Sequence, residues 1–252
     1  MRIQTSIATS TMTLLWMATI QLFLHSSIVS SFMPSPSPSH AHPKHIAQTM
    51  RNSPNLFAKK QSSSEFELQE LRAQFQAMLN QNVRPKMLKT EKRNEIENYV
   101  GNVLLNCPSP IPLKNLADDG ASVLHGNWTL VFASENAALG DLPQDSTVQF
   151  SMYPEYKCDY KIKFAKALGL KSLTAKSTYI VDSSPVNPGL VTFIYQDIVT
   201  DVFGFKSLPV GLFGMLKGRA NYVETIWFDG KLWVERGYSI DGKEFFNVYI
   251  KE

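Results

Sequence analysis

A hydrolytic triad needs a histidine to shuttle the proton, and this chain places almost none where one would serve. Four of its five histidines (His25, His40, His42 and His45) lie in the first 64 residues; His125 alone belongs to the body. It sits beside Gly126 at the entrance of an alternating stretch, the place of an edge residue rather than a base. HExxH is absent, and Cys107 and Cys158 form no CxxC pair, so neither a zinc site nor a disulfide scaffold is expected. Gly204, Gly211 and Gly214 do not make the GxxxxGK[ST] phosphate loop. Asp118-Asp119 precedes Gly120 as a turn, Asp197 and Asp201 flank a strand end, and Glu235 beside Arg236 is expected to be solvated. Aromatic residues remain. Phe150, Tyr160, Tyr179, Phe193 and Trp227 are candidates for the lining of an apolar pocket. Burying an apolar molecule at ~25 cal/mol per Å² can give micromolar affinity without a polar anchor. No metal and no cofactor is called for.

Those aromatics need a scaffold, and the C-terminal stretch from Tyr222 to Ile250 supplies its clearest part. Val223, Thr225 and Trp227 alternate with Tyr222, Glu224, Ile226 and Phe228. Asp229-Gly230 then breaks the run, and Asp241-Gly242 breaks the next one, Leu232 to Tyr238. Asp-Gly between alternating runs predicts a hairpin, because glycine accepts the positive φ of a tight turn. Aromatic residues on both faces mean that the sheet is covered twice or closes around something.

Upstream, the stretch from Leu124 to Ser134 puts Trp128, Leu130 and Phe132 on one face. Further strands are expected at 146–152, 157–164, 173–181 and 190–201, making eight in all. Short strands with turn signals and no long helix between them predict an antiparallel sandwich or barrel, and eight can close around one small ligand. Between two strands, 203–216 reads FGFKSLPVGLFGML. Leu208, Val210, Leu212, Phe213, Met215 and Leu216 are too apolar for an ordinary surface connection, so this stretch is expected to be a lid over the barrel or a contact with lipid.

Two helices precede the strands in this reading, over residues 64–106. Ser64 and Glu67 form a capping box, followed by Leu68, Leu71, Phe75, Met78 and Leu79 at helical spacing. A second helix begins near Thr90 with Ile96, Tyr99, Val100, Val103 and Leu104 on one side, and ends by Pro108. Both stripes are expected to pack on the barrel wall. Residues 107–252 form the barrel domain.

The first 64 residues hold five Lys/Arg and no Asp or Glu, so the rest of the chain carries 20 basic and 22 acidic residues, a net of −2. A body without basic excess has no nucleic-acid footprint. Thr13 to Leu24 is an apolar run shorter than the roughly 20 residues of a membrane span. With Val29-Ser30-Ser31 after it, residues 1–31 read as a signal peptide. Residues 32–63, rich in Ser, Pro, His and Lys, have transit-peptide composition and are expected to be disordered. Signal peptide, then Phe32, then transit peptide resembles the bipartite leader of algae whose plastids lie inside extra membranes.

Gly126-x-Trp128 resembles the lipocalin signature, in which a Trp closes the barrel floor beneath a late-strand Arg. Arg236 is the expected partner, through a cation–π contact worth roughly 1–2 kcal/mol. Over residues 92–252 the chain resembles the plastid lipid-associated proteins, or fibrillins. The carriers are Asn106-Cys107-Pro108-Ser109-Pro110, then Leu124-x-Gly126-x-Trp128-x-Leu130-x-Phe132, then Thr225-Ile226-Trp227-Phe228-Asp229-x-x-Leu232-x-Val234-x-Arg236-Gly237 with Phe246-x-Val248. Trp233 stands where the family has Arg, and Cys107 separates an Asn-Pro pair. The resemblance implies a lipocalin-like barrel without catalysis. It implies a bound prenylquinone, carotenoid or fatty acyl lipid, and peripheral contact with thylakoids or plastoglobules. A coat protein of plastid lipid globules is one alternative. A small cyclase or isomerase is another, and a buried carboxyl of raised pKa in the barrel would support it.

Overall fold

The computed structural model describes residues 54–80, 88–102, 104, 108–137, 139, 142, 146–165, 169–184, 186–210, 217–239 and 241–252. The signal-peptide reading and most of the transit-peptide reading fall outside them. Helix α1 runs Pro54–Asn80 and α2 runs Thr90–Asn102. Helix α1 therefore starts ten residues before the capping box, and the segment after Pro54 is helical rather than disordered. Pro is tolerated at the first helical position, where its missing N–H costs nothing, and Ala58, Lys59, Lys60 and Gln61 are good helix formers. No helix of the described residues is long and apolar enough to cross a membrane.

Among the described residues nine strands follow: β1 Gly126–Ala133, β2 Ser146–Tyr153, β3 Lys157–Phe164, β4 Leu170–Val181, β5 Leu190–Val202, β6 Phe205–Pro209, β7 Ala220–Phe228, β8 Leu232–Tyr238 and β9 Glu244–Lys251. All pairings are antiparallel, and β4 pairs with β5 while β1 pairs with β9. Eight strands thus close into a ring, as the sequence pattern implied, and β6 is a short ninth on the edge of β5. The turns sit where Asp-Gly placed them. Gly230 (φ 87°) opens the β7–β8 loop, while the Asp229 carboxylate accepts the N–H groups of Lys231 (2.8 Å) and Leu232 (2.6 Å).

The buried residues fall into two groups, one inside the ring and one outside it. Outside, Leu71, Phe75 and Met78 of α1 and Ile96 and Val100 of α2 pack with Leu104 on Val131, Phe132, Val234, Phe246 and Val248. Both helical stripes cover the wall, as expected; the Leu79 and Val103 side chains lie outside the described residues. Inside, two short 3-10 turns within Leu113–Leu124, separated by a non-helical kink at Asp118–Ala121, close one end, the floor, with Leu116, Ala121 and Leu124.

Two β-bulges overturn the simple alternation. In β1 the register shifts between Leu130 and Phe132, so Trp128 and Leu130 face inward while Phe132 joins the outer group. In β7 it shifts between Thr225 and Trp227, so Ile226 and Trp227 both face the helices and Phe228 turns inward. A bulge adds one residue to one strand, and every side chain beyond it changes face.

Candidate functional site

The inner face of the barrel is built in levels, because only alternate residues of each strand point inward. The level nearest the floor is aromatic. Trp128 packs against Phe228 and Trp233, each at 5.5 Å between ring centroids. Its indole N–H donates to the Leu124 carbonyl at 2.8 Å. Phe150 lies 5.8 Å from Trp233, 5.3 Å from Tyr160 and 4.9 Å from Phe193. Tyr179 extends the row, 6.5 Å from Phe193. Most of these contacts are edge-to-face, the arrangement that the ring quadrupole favours. Phe150, Tyr160, Tyr179 and Phe193 are thus brought together inside the barrel, packed against one another. Trp227 is not. The β7 bulge sends it to the outer face, where the Arg72 guanidinium lies 5.6 Å above its ring and pairs with Asp229.

One inward position farther from the floor, the chemistry changes. Glu235 on β8 is only 4% exposed and Asn247, its cross-strand partner on β9, only 6%. The expectation that Glu235 is solvated is therefore wrong. Trp233 and Gly237, on either side of it in the alternation, point inward, and Glu235 points with them, while Arg236 points out. The Tyr249 hydroxyl and the Asn247 amide hydrogen-bond the Glu235 carboxyl, and Tyr160 reaches Tyr249 from β3. Burial pushes the Glu235 carboxyl up to about 8, partly offset by those two hydrogen bonds. Burial first, and then the Glu235 charge, hold both Tyr160 and Tyr249 well above the ordinary phenol range. A carboxyl with few compensating charges prefers to keep its proton in such a place.

The cluster leaves hydrogen-bonding capacity unused. Asn247 Oδ1 and Ser146 Oγ are buried on the inner face without a protein partner. Tyr160 is only partly buried although it lies mid-strand on that face, between the buried Cys158 and Ile162. Cys158 also points inward, its thiol pushed up to about 12 by burial, which makes it a poor nucleophile.

The signature residues are positioned rather than reactive. A Cβ on Gly126 (φ 130°) would meet the Lys251 side chain at 2.7 Å, and a Cβ on Gly237 would meet the Phe245 ring at 2.4 Å. Lys251, not Arg236, supplies the cation at Trp128, with Nζ 5.2 Å from the ring. Arg236 faces outward and pairs with Glu224 at 2.7 Å and Glu244 at 3.2 Å. The reason is parity again: Arg236 alternates with the inward Glu235. Leu232 belongs to the outer group beneath the helices.

The apolar connection turns back on itself as β6. Phe203 (60%) and Phe205 (65%) are exposed, as is Leu208, whereas Val210 packs into the barrel core and its N–H donates to the Ile198 carbonyl at 2.8 Å. Leu212, Phe213, Met215 and Leu216 lie outside the described residues. Among the described residues no group of three or more His, Cys, Asp or Glu could hold a metal ion.

No family model matches this chain, and no curated protein does. Among solved structures it is similar to a redesigned β-barrel, at 17% identity over 52% of this chain and 93% of that one, with a TM-score of 0.28. It is also similar to a redesigned β-barrel bound to DFHBI, at 12% identity over 52% of this chain and 96% of that one, with a TM-score of 0.26.

Proposed function

We propose that this protein is a carrier that shelters a small, largely apolar molecule inside its barrel, in or on the lipid bodies or thylakoids of a plastid. The observation that carries the reading is the Glu235–Asn247–Tyr249–Tyr160 cluster, set in an otherwise largely apolar interior. An interior that served packing alone would gain nothing from a buried carboxyl, which costs free energy unless something compensates it. An apolar pocket with a few convergent polar groups is the usual form of a small-molecule site. The plastid assignment rests on Ser31-Phe32 and the acid-free leader around it.

A surface reading has support of its own. Phe203, Phe205 and Leu208 on the β5–β6 hairpin expose apolar area suited to a lipid surface, as a coat protein would require. Glu235 also meets the condition for an isomerase or cyclase, since a carboxyl that titrates near neutrality can give and take protons. The carrier reading uses the polar cluster and the aromatic row together, so we prefer it.

Native mass spectrometry with lipid extraction, on the full chain purified from its own organelle without detergent, tests the choice. A stoichiometric pigment, quinone or other apolar lipid supports the carrier. Apo protein that still floats with liposomes, and stops when Phe203 and Phe205 become Ser, rejects the carrier and leaves the coat protein.

A further inference from the structure

The inner cluster narrows the class of molecule that a carrier of this kind would accept; the argument rests on the carrier reading above. Glu235 faces Asn247 and Tyr249 on β9, Tyr160 on β3 and Thr225 on β7. Thr225 Oγ1 is already engaged, accepting the Trp233 indole N–H at 3.1 Å. Among the described residues no cation acts on Glu235. Arg236, with Glu224 and Glu244, is on the outer face, and Lys251 is at the floor beside Trp128. Asn247 Oδ1 needs a donor, and Ser146 Oγ on the same face has no partner either.

We infer that the Glu235–Asn247 pair is the head-group subsite of the barrel, built for an apolar molecule that carries an uncharged hydroxyl and closed to carboxylates. A hydroxyl oxygen accepts the proton of a neutral Glu235 and, in the same pose, donates its own to Asn247 Oδ1. A ketone can do only the first and leaves the amide oxygen orphaned. A carboxylate carries its own charge into the barrel, with no cation among the described neighbours to offset it. Leaving one buried polar group unpaired lowers affinity by about tenfold or more, and burying an unpaired charge lowers it further.

The test is competition of 1-dodecanol, 2-dodecanone and dodecanoate against a fluorescent apolar probe, on the full chain at pH 7. The expected order is dodecanol about tenfold tighter than dodecanone, and about a hundredfold tighter than dodecanoate. Dodecanol binding should weaken as pH rises through about 8, where Glu235 loses its proton. In Glu235→Gln that pH dependence should vanish while the dodecanoate penalty stays; in Asn247→Ala the advantage of dodecanol over dodecanone should shrink. Equal affinity for alcohol and ketone, or dodecanoate as the best ligand, overturns the subsite and leaves the carrier standing. If none of the three displaces the probe, the carrier reading falls as well. The wild-type comparison decides even if a variant fails to fold.

Discussion

Strands β8 and β9 each contribute to two levels of one interior, and the levels obey different rules. Nearest the floor they supply Trp233 and Tyr249, which lie 5.9 Å apart within the aromatic row. One inward position on, they supply Glu235 and Asn247, a buried polar pair with an unpartnered amide oxygen. The lower level holds large rings in mutual contact, and its value is stability. The next places an ionisable group where ionisation is costly, which fits the ligand contact proposed above. The packed level and the proposed ligand contact are thus separated by about two residues' rise along the same strands.

The strongest way to break the comparison is at the lower level. Trp233→Ala removes a fully buried ring that touches Trp128, Phe150 and Phe228, and should destabilise the protein by about 3–5 kcal/mol in urea titration.

Glu235→Gln should do the reverse at alkaline pH. The carboxyl keeps its proton in the folded chain up to about pH 8, whereas the unfolded chain releases it near 4.5. Wild-type stability should therefore fall as pH rises from about 4.5 to 8 and level off above. The Gln variant should lack this slope and exceed the wild type by on the order of a few kcal/mol at pH 9. Equal slopes in urea titrations across that range would mean that Glu235 is not held neutral.

Gly237→Ala sharpens the boundary just beyond the polar level. Its Cβ would press on the Phe245 ring, so a loss of about 1–3 kcal/mol is expected, with relief from a smaller residue at position 245 in a double-mutant cycle. Lys251→Met should have the smallest effect. It keeps the stem packed along Gly126 and loses the charge over Trp128 and the long Nζ hydrogen bond to the Val123 carbonyl, about 0.5–1 kcal/mol by thermal melting.

Much of this was legible in the sequence. The eight-strand barrel followed from alternation and Asp-Gly turns, and the helical stripes found the wall they cover. Four of the five aromatic candidates line the interior. Trp227 and Phe132 were misplaced because bulges leave little trace in a hydrophobic pattern: at 226–228 and 130–133 every residue is apolar or small, so a one-residue slip changes nothing visible. Glu235 was missed for a different reason. A glutamate beside an arginine reads as surface, and only strict parity from the inward Trp233 would have put it inside. Lys251 escaped notice as a penultimate residue, yet it occupies the place expected for Arg236.

The most direct test of an occupied interior is NMR of the Glu235 carboxyl carbon and the Asn247 side-chain amide during titration with 1-dodecanol. The account predicts shifts at those two groups and at Tyr160 and Tyr249, with Trp227 and the β6 hairpin silent. Shifts confined to Phe203, Phe205 and Leu208, with Glu235 unmoved, would contradict it and place the lipid on the outside of the barrel.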